Sequence, residues 1–151
     1  MALSGKLIGY VDISKGGDVF HDLFRHKPHE IVAAVPHKVH DCELHEGERG
    51  DVGSVISWHY THEGKKKIAK EIIESVDEKN HMAVFKVIGG DLVDEYKSFK
   101  ITLHVEPKGD GQVAIWTFEF EKPDTSVPYP TSFMDYLCDL VKDLDAHSNG
   151  K

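Results

Sequence analysis

The chain changes period three times. Lys6 to Ile13 is rich in β-type residues and reads as a first strand. Gly16-Gly17 interrupts it. Val19, Phe20, Leu23 and Phe24 then follow at i, i+1, i+4 and i+5, the spacing of a helix with one apolar face. Pro28 suits the first turn of a second short helix, and Pro36 closes it after Ile31 to Val35. From about Lys38 to Lys122 the period drops to two. Phe99, Ile101, Leu103 and Val105 alternate with Lys100, Thr102, His104 and Glu106. Ala114, Trp116, Phe118 and Phe120 alternate with Thr117, Glu119 and Glu121, Ile115 being the exception. Turn compositions at His62-Glu63-Gly64-Lys65, Asp77 to Asn80 and Pro107 to Gly111 punctuate these runs, and Gly89-Gly90-Asp91 breaks another. After Pro123, Pro128 and Pro130 the helical period returns. Phe133, Leu137, Leu140, Val141 and Leu144 form one stripe, and Asn149-Gly150 ends it. A helix from about Val127 to His147 is roughly 30 Å long at about 1.5 Å per residue.

The predicted order is strand, two short helices, six strands, one long helix, in a single domain over residues 1–151. Period two with one polar face means an antiparallel sheet, wet on one side and covered on the other. The long helix lays its stripe on the covered face. The fold class is α+β. A curved sheet under one helix leaves room for an internal cavity. Strand parity assigns its lining. Ile56, Trp58 and Tyr60 come from one strand, Ile68, Lys70 and Ile72 from the next, then Phe85 and Val87. Phe99, Ile101 and Leu103 follow, with Trp116 and Phe118 from the last strand. Phe20 and Leu23 join from the first helix, and Met134, Leu137, Cys138 and Val141 from the long one. Tyr60, Tyr136 and Lys70 are the polar groups available to orient a ligand hydroxyl or carboxylate.

Composition narrows the function. A chain of 151 residues builds a core without staples. A net charge of −8 argues against nucleic acid and against an anionic membrane surface. The run Lys65-Lys66-Lys67 is accounted for by a solvated hairpin end. No apolar stretch has the length to span a bilayer. Two cysteines, Cys42 and Cys138, make no disulfide framework, and Met1 to Lys6 shows no secretory pattern. The expectation is a reduced, cytoplasmic protein, a monomer or weak dimer.

Candidate chemistry is sparse. The loop Gly47-Glu-Arg-Gly50-Asp-Val-Gly53 has the glycines of a phosphate cradle, but Glu48 and Asp51 repel anions and no Gly-Lys-Ser/Thr follows. Eleven histidines fall mostly at outward strand positions or in turns, without a recognised metal spacing. Cys42 and Cys138 read as small apolar groups rather than nucleophiles. No Gly-x-Ser-x-Gly elbow is present. Lys70, if inward, would have a depressed pKa and act as a base or bind a carboxylate, unless it snorkels to the rim.

Several segments together resemble the major latex protein branch of the plant superfamily that contains the birch pollen allergen and the class-ten pathogenesis-related proteins. They are Leu3-Ser-Gly-Lys-Leu7, Gly17-Asp-Val-Phe-His-Asp-Leu-Phe24, Leu44-His-Glu-Gly-Glu48, Gly50-Asp-Val-Gly53 and Ile68-Ala-Lys-Glu71. Tyr96-Lys-Ser-Phe99, Pro130-Thr-Ser-Phe-Met-Asp-Tyr-Leu137 and Asp145-Ala-His147 continue the likeness over essentially the full chain. The resemblance implies a helix-grip fold: seven curved antiparallel strands around a long C-terminal helix, two short helices as a cradle, and a hydrophobic cavity. It implies an intracellular carrier of sterols, fatty acids or other lipophilic plant metabolites, tied to defence or stress, with no cofactor. A few relatives are enzymes, so a cavity-based enzyme of specialised metabolism is the alternative. The glycine loop departs from the allergen form, since Arg49 and Asp51 stand in place of glycine character. The Ser-Gly-Leu-Pro-Ala gate of the abscisic-acid receptors is absent.

Overall fold

The computed structural model describes residues 3–14 and 16–149. Strand β1 (Ser4–Ile13) leads through helices α1 (Gly17–Arg25) and α2 (Pro28–Ala34) into β2 (Val39–Glu46), β3 (Val55–His62), β4 (Lys65–Asp77) and β5 (Met82–Gly90). A short α3 (Asp91–Glu95) precedes β6 (Ser98–Lys108) and β7 (Gly111–Glu121), and α4 (Thr131–Asn149) follows. The strands form one antiparallel sheet in the order β1-β7-β6-β5-β4-β3-β2. The two edges are therefore β1 and β2, and α1 with α2 bridges from one to the other. Helix α4 lies across the concave face, as its stripe predicts: Phe133, Leu137, Leu140, Val141 and Leu144 are all buried.

Two expectations about the helices need adjustment. Helix α4 starts at Thr131 rather than near Val127. Pro128 and Pro130 force extended backbone before themselves, and the Met134 N–H bonded to Pro130 O at 3.0 Å opens the helix. Gly150, expected to end it, lies outside the described residues. The Gly89-Gly90 break turns into α3, because Gly90 adopts φ 93° there. A Cβ on Gly90 would sit 2.0 Å from the Ile68 carbonyl oxygen, so only glycine fits. On α1, His21 is buried, with Nε2 3.3 Å from Met82 O. Burial and the Arg25 charge lower its pKa.

The β3–β4 hairpin decides which side chains enter the core. Its turn residues Glu63 and Gly64 have φ of 54° and 75°, positive at both positions as a tight two-residue turn requires. Register then follows: His62 opposite Lys65, Tyr60 opposite Lys67, Trp58 opposite Ala69, Ile56 opposite Glu71. Opposed residues share a face. With Ile56, Trp58 and Tyr60 facing in, Ala69, Glu71 and Ile73 must face in as well. Ile68, Lys70 and Ile72 therefore point to the outer face, contrary to the parity read from the isoleucines, and Ile68 is 42% exposed.

Polar ties fix the cradle. Buried Arg25 on α1 donates through Nε (2.9 Å) and Nη2 (2.6 Å) to Gly50 O, and through Nη1 (3.0 Å) to Glu78. The glycine loop is thus held by its backbone rather than left open to an anion. Close to the start of α1, the Asp145 carboxylate on α4 accepts from Ser14 N at 3.1 Å. Nearer its start, α4 presses hard on β1. A Cβ on Gly9 would lie 2.6 Å from Met134 Sδ and 2.8 Å from Cys138 Sγ.

Candidate ligand-binding cavity

The hollow expected between sheet and helix is present but small, about 60 Å³. Phe24 of α1 and Val39 of β2 line one end. Trp58, Tyr60, Ala69, Glu71 and Phe85 come from β3 to β5, Ile101 and Trp116 from β6 and β7, and Phe133, Tyr136, Leu137 and Leu140 from α4. Rings dominate because the inward positions of β3, β5 and β7 and the first turns of α4 converge here. Phe24 meets Trp116 edge-on with ring centroids 5.3 Å apart, and Tyr60 lies 5.9 Å from both Phe133 and Tyr136.

Of the residues assigned to a cavity by parity, Trp58, Tyr60, Phe85, Ile101, Trp116 and Leu137 line this space. Phe20, Leu23, Ile56, Val87, Phe99, Leu103, Phe118, Met134 and Val141 are buried in the surrounding core instead. Cys138 is half-buried against Gly9. Ile68, Lys70 and Ile72 are on the other side of the sheet. Parity missed Phe24, Val39, Ala69, Phe133, Leu140 and, above all, Glu71. The signal that finds Glu71 is the two-residue turn at Glu63-Gly64: counting back from it pairs Glu71 with inward Ile56.

That exchange of Lys70 for Glu71 reverses the sign of the cavity's ionisable group. Glu71 is buried, and its carboxyl accepts a hydrogen bond from the Trp58 indole N–H. Desolvation pushes its pKa up to about 8, with the Trp58 bond opposing only weakly. Tyr60 titrates well above the ordinary phenol range, through burial first and the Glu71 charge second. Tyr136 is raised by burial and donates its hydroxyl to Lys38 O at 2.9 Å. Trp116 donates Nε1 to Leu137 O at 3.2 Å, tying the sheet to mid-α4. Among the described residues no Lys, Arg or His lines the cavity.

A second, wider recess of about 190 Å³ adjoins the first and shares Tyr60 and Phe133 with it. Its rim carries His62, Glu63, Lys67, Asp91 and Glu95. The β3–β4 turn is latched to α4 there, His62 Nε2 lying 2.9 Å from Ser132 Oγ and that hydroxyl donating to Glu63 at 3.0 Å. Tyr60 and Phe133 thus stand between the outer recess and the inner cavity.

Neither cysteine is set up as a nucleophile. Burial pushes the Cys42 thiol up to about 12 despite Arg49 beside it. Among the described residues no group of three His, Cys, Asp or Glu could hold a metal ion, and no helix is long and apolar enough to cross a membrane.

The sequence profile of the pathogenesis-related protein Bet v 1 family matches residues 2–149. The chain belongs to that family. Within it, the chain is 44% identical to MLP-like protein 31 of Arabidopsis thaliana over 148 residues, covering 97% of this chain and 86% of the relative. The crystal structure of ginseng major latex-like protein 151 from Panax ginseng superposes with a TM-score of 0.92 at 42% identity, covering 97% of this chain and 98% of that one. Seven antiparallel strands gripping a C-terminal helix are therefore the Bet v 1 fold, as the sequence resemblance implied. Norcoclaurine synthase from Thalictrum flavum shares the fold alone, with a TM-score of 0.65 at 16% identity, covering 93% of this chain and 87% of that one.

Proposed function

We propose that this Bet v 1 family chain holds a hydrophobic small molecule between the sheet and α4 rather than transforming it. One observation carries the reading: a ring-lined chamber with a single buried carboxylic acid, separated from an outer recess only by Tyr60 and Phe133. Apolar walls and one or two placed polar groups are what small-molecule sites use. Pockets that hold a drug-sized cargo measure about 300–1,000 Å³, so the present 60 Å³ is a closed state that loading must widen. Movement of the Phe133 and Tyr60 rings joins the chamber to the recess at least cost, because no backbone hydrogen bond is broken. Trp58, Tyr60, Phe85, Ile101, Trp116 and Leu137 are the ligand contacts among the parity-assigned residues, with Phe24, Glu71, Phe133 and Tyr136 added. A cytoplasmic, monomeric or weakly dimeric carrier acting in plant defence or stress fits the net charge and the major latex likeness.

The test is saturable displacement of an environment-sensitive dye by a panel of sterols, fatty acids and aromatic lipophiles, with Trp58 and Trp116 fluorescence as a second report. Displacement by none of them refutes the carrier reading. An enzymatic reading has one observation in its favour, the Glu71 carboxyl titrating near neutrality in a water-poor cavity. It requires a substrate whose turnover is lost in Glu71→Gln while its binding survives.

A further inference from the structure

The cavity's sign has a consequence for what it holds. Glu71 is the one ionisable side chain among the described lining residues other than the two tyrosines; Trp58 lies beside it, and the Tyr60 ring lines the same cavity further along β3. An acid inside a box of π-faces is complementary to a cation: the rings attract it over their faces and the carboxylate pairs with it. The outer recess repeats the bias, with Glu63, Asp91 and Glu95 against Lys67. A carboxylate ligand meets the opposite situation. It must lose its water with no lysine, arginine or histidine to receive it, beside a group of its own sign.

We infer that the cavity selects by charge, taking hydrophobic amines in preference to carboxylates of the same shape, with the ligand's ammonium against Glu71. This rests on the carrier reading and sharpens it. Glu71 is then the specificity-determining residue, and fatty acids are poor cargo. Binding an ammonium requires the carboxyl to give up its proton, so amine affinity climbs with pH until Glu71 is ionised in the free protein. The groups facing Glu71 do not blur that profile. Tyr60 on β3 and Tyr136 on α4 titrate above the ordinary phenol range, and Cys42 on β2 at about 12. At the mouth, His62 is shifted below its usual value, and Lys67, Asp91 and Glu95 complete the charged groups on that side.

The experiment uses the full chain and three probes of one skeleton, 4-phenylbutylamine, 4-phenylbutanol and 4-phenylbutanoate, measured by calorimetry. A charge-assisted contact is worth about 10- to 100-fold in affinity. At pH 8 the amine is expected to bind at least about tenfold tighter than the butanoate. Its affinity should rise about tenfold from pH 6.5 to 7.5 with release of close to one proton, while the alcohol's stays level. In Glu71→Gln the amine-over-alcohol preference should collapse to about twofold, alcohol binding showing that the variant is folded. Butanoate binding as tightly as the amine, or an amine preference that survives Glu71→Gln, overturns the inference and leaves the carrier reading intact. Failure of all three probes to bind overturns both.

Discussion

Replacing Glu71 by glutamine should make the protein more stable, increasingly so as pH rises. The amide keeps the shape and still accepts from the Trp58 N–H, but it cannot ionise. In the native protein the Glu71 pKa is about 8 against a reference of 4.5. The folded state therefore holds its proton over a range in which the unfolded chain has released it. Below about pH 4.5 both states are protonated, and the acid costs nothing in ionisation. As pH rises towards 8 the unfolded state gains and stability is lost, about 1.4 kcal/mol per pH unit. The loss amounts to about 3 kcal/mol at pH 7 and about 5 kcal/mol at pH 9, where it levels off. Urea denaturation of wild type and variant from pH 5 to pH 9 measures it. The stability difference in favour of glutamine should widen by about 4 kcal/mol, or a midpoint shift of about 2 M at a slope of roughly 2 kcal/mol per M. Titrations common to both proteins, His21 and His62 included, cancel in the difference. A difference that stays flat within about 0.5 kcal/mol would mean that Glu71 is ionised and solvated in the fold, and the argument from its burial would fail.

Three further outcomes check other parts of the structure. Phe133→Ala removes a ring stacked on Phe118 at 5.4 Å and shared by both spaces; it should cost about 3–5 kcal/mol in denaturant unfolding and speed dye uptake by stopped flow. Gly90→Ala forces a Cβ against the Ile68 carbonyl oxygen at positive φ, and should lower stability by about 3 kcal/mol or more, seen as a drop in Tm. Lys70→Ala removes an outward side chain and should change neither ligand affinity nor stability beyond about 0.5 kcal/mol.

The sheet and the long helix were legible because their patterns are unambiguous. Phe99 to Val105 alternate with polar residues, and the Phe133 to Leu144 stripe has one spacing only. Strand β4 was not, because Ile68-Ala69 and Ile72-Ile73 put an apolar residue on each face, so either parity looks satisfactory by itself. The tie is broken outside the strand, by a turn of fixed length and by the rings on β3. Helix α3 escaped notice because five residues are too few to show a period, and its start was masked by glycines that read as a break. The cavity lining lies a step further from the sequence. Phe20, Phe99 and Phe118 point inward as expected yet are covered by neighbours, and only the packing of elements distant in the chain decides which inward residue is left facing empty space.

The glycine at position 9 has a mechanical meaning. With Met134 and Cys138 seated where its side chain would be, the first half of α4 is in hard contact with β1 and has no travel left in that direction. Beyond the ring movement of Phe133 and Tyr60, α4 itself can yield to a cargo only on the flank away from that seam, towards Phe24, Val39 and Trp58. The helix is in effect hung on one edge of the sheet like a door on its jamb, and swelling of the interior would register as a swing of the free side, not a uniform lift.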